Sequence, residues 1–330
     1  MKNIDMHSHY IPKAFIDLIE EENNKFEAKI VTKDGQRFVA HDQGYIYPCL
    51  PEFYDRSVKL EKMEKGNIDM TVLSLAPPLF YYWTDIELSV FVAQMVNDEL
   101  LEYVQKDKDK FSMMATVPMN SVEHAVKELN RIVKKSSGLV KFVQIGTNVE
   151  GRLLADPIYK PFFNKAEELG VTVFLHPYYI GNKPGLEDYY LTNLVGNPMD
   201  TTISAVNLMF SGFMERHPKL NICLAHGGGY LPYQFGRLRH GYKVREEPKS
   251  KMAAPPLENF NRFYFDTLTF EKKAIEYLVN LVGSERIILG SDFPFDMGDE
   301  EAVKMVQSLN IPNEDKENIL YKNVDKLLNV

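Results

Sequence analysis

Val171-Thr172-Val173-Phe174-Leu175-His176 is a short apolar run, rich in β-branched residues, that closes on a histidine. Bounded as it is, the run reads as a strand, and the histidine at its end as a residue on the rim of a sheet. Comparable runs lie at Asn3-Met6, Met70-Leu75, Phe111-Val117, Val140-Ile145, Asn221-Ala225, Arg262-Phe265 and Arg286-Leu289. Helical patterns separate them. In Val122-Lys135 the residues Val122, Ala125, Val126, Leu129 and Val133 fall near one stripe with charges opposite, the mark of an amphipathic helix. Eight strands alternating with helices predict an α/β fold, the (β/α)8 or TIM barrel.

The 330 residues suit such a barrel as a single domain, 1–330, with no repeat, low-complexity tract or linker to divide it. Two stretches interrupt the alternation. Residues 24–52 follow the first strand and carry Asp34-Gly35 between alternating segments, which predicts a small hairpin insertion. Residues 177–200 follow the fifth strand and are rich in Tyr, Gly, Asn and Pro, an elaborated loop. Both leave from the carboxyl ends of strands, the face on which barrel enzymes build their sites.

Composition narrows the function. With 45% hydrophobic and 25% charged residues the chain has the makings of a large core, and its formal net charge of -8 argues against a nucleic-acid partner. The first residues, Met1-Lys2-Asn3-Ile4-Asp5, lack an apolar signal region, and no stretch reaches the length of a membrane span. The two cysteines, Cys49 and Cys223, form no C-x-x-C pair, and Cys223 sits in the apolar run Ile222-Cys223-Leu224-Ala225 as a buried side chain. A cytoplasmic location with no membrane partner is the expectation.

Chemistry-bearing residues gather at strand ends. Residues two apart on a strand project to one side, so His7 and His9 of Asp5-Met6-His7-Ser8-His9 can share an ion. The fifth strand ends in His176, the sixth in His226 and the eighth, Ile287-Ile288-Leu289-Gly290-Ser291, in Asp292. Imidazoles with a carboxylate suit one divalent metal ion: zinc first, with manganese or iron as alternatives. His124 and His217 fall on or after amphipathic helices and are expected at the solvated surface, while His41 and His240 are within reach of a pocket. The run His226-Gly227-Gly228-Gly229 resembles an esterase oxyanion loop, but the chain has no G-x-S-x-G elbow. It also has no P-loop and no dinucleotide-binding fingerprint.

Several blocks together are similar to a known family. They are His7-Ser8-His9 with Ile11-Pro12-Lys13, Phe174-Leu175-His176-Pro177, Ala225-His226-Gly227-Gly228-Gly229, and Gly290-Ser291-Asp292-Phe293-Pro294-Phe295. Phe80-Tyr81-Tyr82-Trp83, Val143-Gln144-Ile145-Gly146-Thr147 and Leu194-Val195-Gly196-Asn197-Pro198 extend the likeness along nearly the whole chain. The chain resembles the amidohydrolase superfamily, in the branch of the 2-amino-3-carboxymuconate-6-semialdehyde decarboxylases and related nonoxidative decarboxylases. The resemblance implies one metal on His7, His9, His176 and Asp292, with His226 beside it as acid/base. It implies release of CO2 from a small unsaturated or aromatic carboxylate of the carboxymuconate-semialdehyde or hydroxybenzoate type. A hydrolase or hydratase acting on a lactone or enol acid is the alternative on the same scaffold.

The same resemblance assigns substrate contacts. Arg237 matches an arginine that binds substrate carboxylate and that can be contributed across a dimer interface, which implies a homodimer. Phe295 matches an aromatic wall beside the metal aspartate. Two departures stand out. Relatives carry a second arginine in the hairpin where an ungapped placement puts Val39; Arg37, two residues earlier on the same strand face, is the candidate replacement. In the loop after strand five, Tyr178 and Asn193 stand where relatives have tryptophans, so Tyr178 is a candidate substrate contact in a rewritten pocket.

Overall fold

The computed structural model describes residues 2–22, 25–178, 184–252 and 254–329. Residue 24 of the first insertion and residues 179–183 of the second lie outside this set.

Eight parallel strands form one sheet in sequential order. They are β1 Ile4–Tyr10, β2 Met70–Leu75, β3 Phe111–Thr116, β4 Val140–Gly146, β5 Thr172–His176, β6 Ile222–Leu224, β7 Phe263–Asp266 and β8 Ile287–Ile288. The sheet closes where the Met6 N–H donates to the Leu289 carbonyl at 2.9 Å and the His9 N–H to that of Phe293 at 2.7 Å. Closure leaves the barrel without a free edge. Inside it Ile4, Met6, Val72, Phe142, Phe174 and Ile288 fill the space as a packed plug. The outer faces of the strands and the inner faces of the helices make a second, larger core.

β1 is longer than its apolar run because it continues through His7 and His9. Its pairing with β2 slips between Asp5 and Ser8, where the extra residue of a bulge is accommodated. The slip decides the site. Ile4 and Met6 point into the barrel, so in a regular strand His7 and His9 would point out. With the bulge, His7 also turns inward and meets the Phe174 ring edge-on at 5.0 Å, while Asp5 turns to the outside and accepts from Ser291 Oγ at 2.6 Å.

The first insertion is more than a hairpin. Ala28–Lys33, Gln36–His41 and Ile46–Pro48 form a three-stranded antiparallel sheet. Asp34 and Gly35 both have positive φ, 51° and 80°, the conformation of the tight two-residue turn that this sequence favours. The third strand and the turn before it roof the carboxyl end of the barrel with Gly44, Tyr45, Ile46, Tyr47 and Pro48. Among the described residues no helix is long and apolar enough to cross a membrane.

One histidine departs from its surface expectation. His217 is buried, 4.5 Å from the ring of Phe213 and 3.6 Å from a Glu167 carboxylate oxygen, because the short helix Phe213–Arg216 turns it back onto Phe163. His41, the last residue of the second strand of the three-stranded sheet, is buried and contacts the Tyr47 hydroxyl at 3.1 Å.

Candidate metal centre and active site

His7 and His9 at the end of β1, His176 at the end of β5 and Asp292 just past β8 converge. One ligand atom from each lies within 4.8 Å of all the others, and all four residues are buried. Asp292 Oδ1 stands 3.2 Å from His7 Nε2, 2.8 Å from His9 Nε2 and 4.0 Å from His176 Nε2. Its other oxygen faces His226 Nε2 at 3.6 Å.

What turns each imidazole toward the common point is the partner of its other nitrogen. His7 Nδ1 lies 2.7 Å from Asp266 Oδ2. His9 Nδ1 lies 3.1 Å from Ser74 Oγ, whose proton is directed to the Ser8 carbonyl, so the hydroxyl accepts. His176 Nδ1 donates to the Pro177 carbonyl at 2.5 Å. The Nε2 lone pairs are thereby aimed inward. His176 Nε2 is buried there without a hydrogen-bond partner, and His7 and His9 bring their Nε2 atoms to 3.2 Å of each other. A divalent cation satisfies all of these atoms at once, and the three-nitrogen, one-carboxylate set is what zinc, manganese or iron takes. This is a His-His-His-Asp metal site.

The electrostatics agree. Burial pushes His9 down to about 4 against the pull of Asp292. Burial likewise holds His176 well below its usual value, with His226 and His7 adding to the effect. Burial also disfavours charge on His7, but Asp292 and Asp266 outweigh it and hold that ring up at about 10. Asp292 stays well below the usual carboxylate range because the surrounding histidines overcome its burial. Two ionised carboxylates in a dry pocket favour positive charge between the rings, held as a proton on His7 when no ion is bound and displaced from it when a divalent cation takes that place.

Sequence reasoning missed Asp266. It is fully buried at the end of β7 and accepts from four groups: His7 Nδ1, the backbone N–H of His226 at 2.9 Å, that of Gly227 at 2.7 Å and that of Leu268 at 3.1 Å. It therefore orients one metal ligand and the loop that carries His226. The signal was an aspartate directly after the Arg262-Phe265 run, level with the other strand ends. Asp266→Ala is expected to weaken metal affinity about 10–100-fold while the fold persists, measured by metal-buffer titration; unchanged affinity would remove it from this role.

Backbone geometry is constrained at both reactive positions. His226 and Asp292 have φ of 56° and 57°, left-handed values that cost non-glycine residues about 1 kcal/mol or more. The Asp266 carboxylate secures the first, and the Asp292 N–H donating to the His7 carbonyl at 2.7 Å secures the second. Gly290 allows the strands to close: a Cβ there would meet His7 Cβ at 2.9 Å and Asp266 Cβ at 3.0 Å. From outside the barrel, buried Lys59 donates to the His9 carbonyl at 2.8 Å.

Above the metal site lies a cleft of about 670 Å3, lined by His176, His226 and Asp292 at its floor and by the three-stranded sheet at its roof. Phe295 is a wall, its ring 4.9 Å from that of His9 and 5.3 Å from that of Phe53. Tyr178 also lines the cleft, but its hydroxyl is turned away, accepting from the Glu150 N–H at 2.9 Å. The site does not gather the two arginines. Arg37 pairs with Glu20 at 2.6 Å on the helix Lys13–Glu21, because the strand face it shares with buried Val39 packs on that helix; Gln36 and Phe38 face the cleft instead. Arg37 is thus not among the described residues that line the cleft. Arg237 is exposed on the helix Leu231–Val244 and lines neither the cleft nor the pocket beside it.

A closed parallel barrel that focuses three imidazoles and a carboxylate at its carboxyl end, under an apolar cleft, defines a metal-centred barrel enzyme. The sequence profile of the amidohydrolase family matches residues 4–330, and the chain belongs to that family. The 2-amino-3-carboxymuconate-6-semialdehyde decarboxylase of Dictyostelium discoideum is 31% identical, over 98% of this chain and 91% of its own. Among solved structures, 5-carboxyvanillate decarboxylase of Sphingomonas paucimobilis superposes with a TM-score of 0.85 at 21% identity, covering 100% of this chain and 99% of its own. Dihydroxybenzoic acid decarboxylase of Polaromonas sp., with bound manganese, gives 0.79 at 22% identity, covering 99% and 97%.

Proposed function

We propose that this protein is a metal-dependent nonoxidative decarboxylase, a carbon–carbon lyase releasing CO2 from a small unsaturated or aromatic carboxylate. The observation that carries this reading is His226. Its Nε2 lies 3.6 Å from Asp292 at the cleft floor, its ring is 5.0 Å from that of His176, and it is part of the cleft lining. His7, His9, His176 and Asp292 hold the ion, and zinc is our first assignment, with manganese, which the Polaromonas decarboxylase carries, and iron as the alternatives. A bound divalent cation would supply positive charge that polarises a substrate oxygen and stabilises the negative charge carried on it.

The chain's residues supply the rest. An imidazole carries and releases a proton through its ring nitrogens, so His226 can deliver one to the substrate carbon bearing the carboxylate. The C–C bond then breaks, its electron pair returns to the substrate, and the carboxylate leaves as CO2. Asp292 Oδ2 orients the imidazole. Phe295, Phe53 and the roof of the cleft exclude water, which strengthens these interactions.

We further propose that residues 1–330 act as one domain in a cytoplasmic homodimer and that Arg237, exposed on its own subunit, reaches substrate carboxylate across the interface. Support comes from its exposure and from the lack of a lysine or arginine among the described residues lining the cleft. Two tests apply. CO2 release from metal-loaded protein tests the reaction. Arg237→Ala should lower kcat/KM about tenfold or more with metal content intact, since a charge-assisted carboxylate contact is worth roughly 1.5–3 kcal/mol; loss of metal in that variant would make Arg237 structural.

A further inference from the structure

The first insertion holds a buried pair that the chemistry at the cleft floor does not use. His41 ends the second strand of the three-stranded sheet, Tyr47 is the middle residue of the third, and both are buried. His41 Nε2 lies 3.1 Å from the Tyr47 hydroxyl oxygen. Around the imidazole stand the rings of Tyr45, Tyr47, Tyr81 and Trp83, with centroids 5.6–6.3 Å away. Burial in this box pushes His41 down to about 4, so near neutral pH the imidazole is uncharged and carries one N–H.

Which nitrogen carries that proton follows from the cost of burying it unpaired. Nδ1 is buried with no hydrogen-bond partner among the described residues. A bare nitrogen there forgoes an acceptor's bond, whereas an N–H there would be a buried donor left unmet, the costlier of the two. The proton therefore sits on Nε2 and is donated to the Tyr47 oxygen. The phenol, which burial holds neutral, keeps its own proton for another acceptor. Tyr47 also lines the cleft, in the roof above the metal site. Resting on the decarboxylase reading above, we infer that His41 orients Tyr47 as a hydrogen-bond donor to a substrate oxygen at the end of the molecule away from the metal.

The first test is the tautomer. In metal-loaded protein with 15N-labelled histidine, the His41 signals, assigned by their loss in His41→Gln, are expected to show a proton on Nε2 and none on Nδ1. A proton on Nδ1 would overturn the inference. The second test is binding of 2,6-dihydroxybenzoate to metal-loaded His226→Ala protein, which binds without turnover. Tyr47→Phe is expected to weaken binding about tenfold, with metal content intact. His41→Leu should weaken it too, and His41→Gln, which keeps an N–H, should weaken it less. In the Tyr47→Phe background His41→Leu should add nothing. Unchanged affinity in Tyr47→Phe, or a His41→Leu effect that persists without the hydroxyl, would also overturn the inference. Absence of both binding and CO2 release in the unsubstituted protein would count against the decarboxylase reading, whereas the tautomer is decided apart from it.

Discussion

His176→Ala is expected to yield a folded protein that no longer retains its divalent ion and whose CO2 release has fallen about a thousandfold or more. The reasoning is geometric. His176 supplies the one ligand nitrogen from β5, on the opposite side of the barrel from β1 and β8, and its Nε2 is buried with no hydrogen-bond partner. Removing it opens the set to His7, His9 and Asp292 alone, which lie on adjacent strands and leave one side of the ion unliganded. The fold should survive because the ring sits at the rim of the barrel, above the plug built from Met6, Val72, Phe142 and Phe174. Elemental analysis after dialysis, with circular dichroism as the fold control, gives the answer. Full metal occupancy in the variant would place the ion elsewhere.

His226→Ala should separate the proton from the metal. The ion is expected to stay, since His226 approaches only the outer oxygen of Asp292, at 3.6 Å. Turnover should fall about 10²–10⁴-fold, the usual worth of a positioned acid/base. Metal content and kcat measured on one preparation decide it. Loss of the ion would make His226 a ligand; unchanged turnover would show that the proton comes from another group.

Most of this site was legible in the strand ends. Runs such as Val171-Leu175 and Ile287-Leu289 are apolar because the barrel buries them on both faces, and the residue that breaks each run is the one that reaches the cleft. The bulge in β1 was not legible, because a barrel strand is buried on both faces and its apolar pattern does not say that Ile4, Met6 and His7 all turn inward. Asp266 follows its run just as His176 and His226 follow theirs, but it was passed over because it acts from below, through His7 and the backbone of the His226 loop, without lining the cleft. Arg37 lies off the cleft for a different reason. Counting from Val39 gave the strand face, but that face packs on the helix Lys13–Glu21, and with Phe38 on one side and Val39 on the other the pattern does not say which side meets the barrel. The cleft's neutral lining likewise depends on loops, 42–50 and 184–197, whose placement is set by tertiary contacts rather than periodicity.

The most direct measurement is to incubate the zinc- or manganese-loaded protein in D2O with 2,6-dihydroxybenzoate labelled with 13C at its carboxylate. No organic cofactor or oxidant is added. Labelled CO2 and resorcinol in equal amounts, with one deuterium on the carbon that lost the carboxylate, is the expected result. A loaded enzyme that leaves the carboxylate in place across hydroxybenzoates and carboxymuconate semialdehyde, while opening a lactone or hydrating an enol acid, would contradict the proposal.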